Sequence, residues 1–171
     1  MKAASNAGPL IALGKLGALP LLVRLFSEVV IPSAVYEEVV VNGRQLGEPD
    51  AYATEFLVGR GAIVVRACAS VQPTPWLGLG IDAGEAEAIA LAIQENADWV
   101  LIDNLHARRA ARSVGLRVKG TVGVLIDAYR NGHLSLLEVE LHLAMIRARK
   151  DLWISVAVCD HALELIHKPP G

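Results

Sequence analysis

Short, almost wholly apolar runs alternate along the chain with longer stretches whose apolar positions recur every three or four residues. The short runs are KAAS (2–5), EVVIP (28–32), AIVVRA (62–67), DWVLID (98–103) and LRVKG (116–120). Their β-branched content and lack of polar alternation predict strands buried on both faces. Between and after them PLIALGKLG, LPLLVRLF, SAVYEEVVV, PDAYATEFLVG, DAGEAEAIALAIQENA, NLHARRAARSVG, TVGVLIDAYRNG, SLLEVELHLAMIRARK and SVAVCDHALELI read as helices. The spacing of Ala86, Ile89, Ala90 and Ile93 is the clearest helical case.

Turn chemistry punctuates this pattern. Pro9 suits the first turn of a helix, Pro32-Ser33 opens another, and Asn42-Gly43 and Asn131-Gly132 are expected to close theirs. SVQPTPWLGLG (70–80) carries Pro and Gly without periodicity and is expected to be a mobile loop. Strand and helix in alternation predict a three-layer α/β/α sandwich around a central, mostly parallel sheet. Residues 1–171 read as one domain, with 135–171 as a C-terminal helical extension.

Composition sharpens this in three ways. With 53% of residues hydrophobic and 20% charged, the chain has more apolar surface than a monomer needs, which points to an oligomer or a covered face. A net charge of −2 gives no overall basic field, so any nucleic-acid contact rests on a local patch. Cys68 and Cys159 form no paired or zinc-like spacing, which fits a reducing cytoplasm. The apolar start is broken by Pro9, Gly14, Lys15, Gly17, Pro20 and Arg24, so neither a signal peptide nor a membrane span is expected.

In parallel sheets, functional groups gather beyond the carboxyl ends of strands. Asn6 and Asp103 both follow predicted strands. If those strands are neighbours, Glu38 and Glu85 reach the same point from flanking helices, giving an oxygen-rich set suited to Mg²⁺ or Mn²⁺. Each residue also has an ordinary structural role open to it. Asp82 and Glu85 have capping-box spacing, Asp103 can cap the following helix, Asn6 suits a turn, and Glu37, Glu87 and Asp127 suit solvent faces. Arg108, Arg109 and Arg112, with His106 and Lys119, form the best local basic patch.

In order and spacing, SNAGPLIALGKLG, VVIPSAVYEEV, DAGEAEAIALA, ADWVLIDNLHARRAA and VKGTVGVLIDA resemble the PIN-domain family, in particular a bacterial and archaeal branch related to VapC-type toxins. The resemblance implies a Mg²⁺- or Mn²⁺-dependent ribonuclease whose acidic positions fall on Asn6, Glu38, Glu85 and Asp103. It also implies RNA as substrate, a homodimer, and a small antitoxin as partner. Thr121 falls where many relatives have a small hydroxyl residue, and Asn104 where they often have a second acid. Asn6 departs from the usual Asp, so the alternative is a catalytically degenerate module that binds nucleic acid or protein. Other enzyme classes lack their signatures: there is no G-x-S-x-G or Walker A sequence, and GLGIDAG misses the dinucleotide glycine spacing by one residue.

Overall fold

The computed structural model describes residues 1–78 and 80–168. Strands β1 (Lys2–Ser5), β2 (Glu28–Pro32), β3 (Ile63–Arg66), β4 (Trp99–Leu101) and β5 (Val118–Lys119) form one sheet in the order β3-β2-β1-β4-β5. Every neighbouring pair is parallel. The chain starts in the middle of the sheet, builds outward through β2 and β3, then crosses back to lay β4 on the other side of β1. That reversal opens a crevice beyond the carboxyl ends of β1 and β4.

Side-chain alternation along the strands divides the interior in two. Ala3, Val29, Ile31 and Leu101 face α1 (Ala7–Lys15), α2 (Pro20–Leu25), α5 (Pro49–Gly59) and α8 (Thr121–Arg130). Ala4, Val30, Val100 and Ile102 face α6 (Ala83–Gln94) and α7 (Leu105–Ser113). The result is a three-layer α/β/α sandwich. The last helices, α9 (Leu136–Ala148) and α10 (Val156–His167), add Val139, Leu143, Cys159 and Ala162 to the first of these cores. Among the described residues no helix is long and apolar enough to cross a membrane.

Several local expectations change. Asn42-Gly43 does not end the helix begun at Ser33. α3 (Ser33–Tyr36) widens into a π-helical turn (Glu37–Asn42) and continues as α4 (Gly43–Gln45), with the stop at Gly47, whose φ is +70°. Gly43 serves close packing instead: a Cβ there would lie 2.8 Å from that of Ala51. The connection after β3 contains a short 3₁₀ turn at Thr74–Trp76, and its Leu79 lies outside the described residues. Glu87 is half-buried rather than solvent-facing, because its carboxylate accepts the Ala34 N–H at the start of α3. Asp127 likewise leaves the solvent face to pair with Lys119.

The tightest helix contact is α1 against α5. A Cβ on Gly14 would sit 2.4 Å from the Asp50 Cβ and 2.9 Å from its Cα, so backbone would have to move. Gly14→Ala should therefore destabilise the fold by about 2 kcal/mol despite alanine's better helix propensity. A thermal melt should show a midpoint several degrees lower, and an unchanged or raised midpoint would refute the close-approach argument.

Candidate functional site

The parallel register of β1 and β4 sets Ser5 beside Leu101, and the Asn6 N–H continues the ladder by donating to the Leu101 carbonyl at 3.0 Å. Asn6 and Asp103 therefore leave adjacent strands at the same edge. Asn6 is the residue before α1, yet its side chain makes no capping bond. It is only 6% exposed, and among the described residues its Oδ1 has no hydrogen-bond partner. Leaving such a group unpaired costs about 1–3 kcal/mol, so this oxygen is open to a water or an ion.

Glu38 reaches the same place from the wide turn after α3. The Asn6 Oδ1 and a Glu38 carboxylate oxygen each lie 3.4 Å from where a Cβ on Gly84 would stand, and an Asp82 oxygen lies at 3.5 Å. Three oxygens thus surround the bare α-carbon of Gly84, in the first turn of α6. Glu85 follows at 4% exposure. Its carboxylate accepts the Asp82 N–H at 3.1 Å and an Asn104 amide N–H at 3.3 Å, while its own N–H donates to Asp82 at 2.8 Å. The capping box is therefore real, and it holds Glu85 facing the cleft. Burial foremost, with repulsion from Asp82 and Glu38, raises the Glu85 carboxyl above its ordinary value against the pull of these hydrogen bonds. Burial and then Asp82 raise Glu38 as well.

Asp103 does not cap α7; Asn104 does, accepting the His106 N–H at 2.8 Å. Instead Asp103 crosses to α8, where one oxygen accepts the Thr121 N–H at 2.7 Å and the other the Thr121 hydroxyl at 2.6 Å. Burial raises its carboxyl, opposed by the Thr121 bonds and the Arg108 charge. Thr121 thus orients an acid.

The basic residues separate. Arg108 and Arg112 line the cleft, as does Arg130, which the sequence pattern did not single out. Arg109 is exposed on the outer side of α7 and His106 packs against Gly80; neither lines the cleft. Lys119 does line it but is buried, paired with Asp127 and 3.9 Å from the Trp99 ring centroid. It is committed to the fold rather than free to follow a polyanion.

These groups share one cavity of about 1500 Å³ that runs on past Leu46 and Trp153 to α10. Its charged lining comes from different elements. Glu38, Asp82 and Glu85 come from the turn after α3 and the start of α6, Arg108, Arg112, Arg130 and Lys119, with Asp127, come from α7, α8 and β5, and Lys15, Glu48, Asp50 and Asp151 also line it. Among the described residues, no three Asp, Glu, His or Cys side chains are drawn together as a ready cage for an ion. Only with the neutral Asn6 oxygen counted does the hard-oxygen set suit a Mg²⁺-like ion that keeps several waters. Asp82 is the residue sequence reasoning set aside, because its capping role concealed its position. Trp153, at 95% exposure, carried no sequence signal at all.

The raised carboxyls have a pH consequence. Below the ordinary glutamate value of 4.5, folded and unfolded chains are equally protonated at Glu85. Above it the unfolded chain releases the proton first, so stability falls as pH rises through the higher folded value. Glu85→Gln keeps the capping box and removes this penalty. Melts in chelator should show a flatter pH dependence and, at neutral pH, a higher midpoint than the parent's. An unchanged slope would mean that Glu85 carries no such penalty.

A family model described as DUF3368: PIN domain matches residues 2–168. A PilT N-terminus domain protein from the hyperthermophilic archaeon Sulfolobus solfataricus P2 is similar in structure, with a TM-score of 0.53 and 22% identity over 75% of this chain and 93% of that one. VapBC2 from Rickettsia felis, solved bound to a DNA fragment from its promoter, aligns with a TM-score of 0.48 and 15% identity over 70% of this chain and 98% of that one. No curated protein matches significantly. With nearly its whole length covered by the family model, the chain belongs to the PIN-domain family.

Proposed function

We propose that this chain is a metal-dependent ribonuclease that hydrolyses RNA phosphodiester bonds at the crevice beyond β1 and β4. The observation that carries the reading is the buried, unpartnered Asn6 oxygen, aimed where Glu38 and Asp82 oxygens also point. Glu38, Glu85 and Asp103, with Asn6 as neutral ligand, would hold Mg²⁺ or Mn²⁺. Such an ion, when bound, activates water and offsets charge developing on the phosphate. Asn104 fixes Glu85 and Thr121 fixes Asp103, so the acids are oriented before substrate arrives. Arg108 and Arg112 would follow the RNA backbone, with Arg109 extending that path outside the cleft and Lys119 shaping its lining through Asp127.

The VapC-like sequence pattern extends the proposal to a cytoplasmic toxin with a small antitoxin and a second copy of the chain as partners. Exposed Leu136, Leu137 and Leu141 on α9 supply apolar surface for such association.

Calorimetry with Mn²⁺ and RNA cleavage on the same samples test the activity. The parent should bind Mn²⁺ and cleave only with it. Glu85→Gln and Asp103→Ala should each lose at least about tenfold in affinity, near 1.4 kcal/mol, together with cleavage. Asn6→Asp should bind more tightly. Salt-sensitive RNA binding with neither Mn²⁺ binding nor cleavage would replace the nuclease by a degenerate binding module.

A further inference from the structure

Gly120 lies between β5 and α8 with its α-carbon bare toward the cleft. A Cβ there would fall 2.7 Å from an Arg108 guanidinium nitrogen and 2.7 Å from an Asp103 oxygen. Only glycine allows both groups to sit on that spot. The same Arg108 nitrogen donates to the Ile102 carbonyl at 3.0 Å, which ties the side chain to the end of β4. Asp103 is the counter-charge beside it, but its two oxygens accept from Thr121 rather than from the guanidinium. Among the described residues Arg108 is therefore half-buried, held at one nitrogen, and placed on the cleft lining with most of its donors uncommitted.

We propose that Arg108 is the phosphate-gripping residue of this cavity: its anchored guanidinium holds a phosphodiester of single-stranded RNA by charge-assisted hydrogen bonds, without needing a metal ion. The assignment rests on the reading of the cavity as a phosphodiester site. A guanidinium fork suits this role because it presents parallel donors to two phosphate oxygens. Its anchoring limits the freedom lost on binding. The two sets of groups then divide the work. The acids and Asn6 take the cation, and Arg108, supported by Arg112, takes the anion that must lie beside it. Asp103 keeps the guanidinium on its own side of the cleft, and Gly120 keeps the space open.

The test is fluorescence anisotropy with a labelled single-stranded RNA of roughly ten nucleotides, in chelator, over a salt series. Arg108→Ala should weaken binding at least tenfold and reduce the salt slope by about one. Arg108→Lys should bind several-fold more weakly than the parent with the slope kept, since it retains charge but not the fork. Arg60→Ala, at the far end of the sheet after α5, should stay within about twofold as the control for lost net charge. Calorimetry on Arg108→Ala should return a Mn²⁺ affinity close to the parent's.

If Arg108→Ala fails to fold, Arg108→Lys carries the comparison. No RNA binding by the parent in chelator, parent-like binding by both Arg108 variants, or an equal loss in Arg60→Ala overturns the assignment. So does loss of Mn²⁺ binding in a folded Arg108→Ala, which would make the residue a support for the acids. A parent that ignores Mn²⁺ yet depends on Arg108 for RNA sinks the metal reading alone. Mn²⁺ binding lost in Glu85→Gln beside RNA binding indifferent to Arg108 sinks this inference alone.

Discussion

The pairing of β1 with β4 is the constraint on which the site depends. Asn6 directly follows β1, and β4 joins that strand only after the chain has built β2, β3 and α6. The parallel register that puts Ser5 against Leu101 brings Asn6 and Asp103 to one edge. A slip of one residue would turn Ala3 and Ala4 to the opposite layers and move Asn6 out of the cleft. The contrasting packing partners of these small side chains make that slip costly, so the register of the core also fixes the position of the chemistry.

Gathering acids in a half-dry cleft opposes folding, and two of them, Glu85 and Asp103, have a local answer. Glu85 is held by the Asp82 N–H and the Asn104 amide, Asp103 by Thr121 and by the nearby Arg108 charge. Elsewhere in the cleft lining, the buried Lys119 is offset by Asp127 and by the face of Trp99, over which Arg117 also lies at 3.9 Å. These contacts come from elements that the packing already brings together, so they orient the groups as well as stabilise them. Glu38 and Asn6 are the exceptions. Glu38 has burial and the Asp82 charge against it, and among the described residues Asn6 has no partner for its oxygen.

Much of this was legible because local pattern and fold agree. Apolar strands, Pro9 in the first turn of α1 and the glycine near the end of α8 each report a backbone need that the sequence states directly. What stayed hidden depends on contacts between distant segments. The wide turn at Glu37–Asn42 has no signature of its own, and Gly43 looked like a helix stop because its need, room for Ala51, arises only when α5 packs against it. Glu87 and Asp127 looked solvent-facing for a similar reason: their partners, Ala34 and Lys119, come from other elements. Asp82 shows the opposite limit. A complete local explanation, the capping box, hid a second position beside Asn6 and Glu38.

Asn6 is best understood through that crowding. An aspartate there would be a buried charge within reach of Glu38 and Asp82 oxygens, adding repulsion to a cluster whose carboxyls are already held above their ordinary values. An amide keeps one oxygen pointing at the same place and removes the charge and the second oxygen, so the metal-free fold is spared a strong repulsion while one neutral oxygen still faces the site. The cost falls on ion binding, where a neutral carbonyl attracts a divalent cation less than a carboxylate does. In the proposed phosphodiester site the Arg108 guanidinium would lessen the consequence, because part of the positive charge a phosphate needs would be supplied by the chain itself.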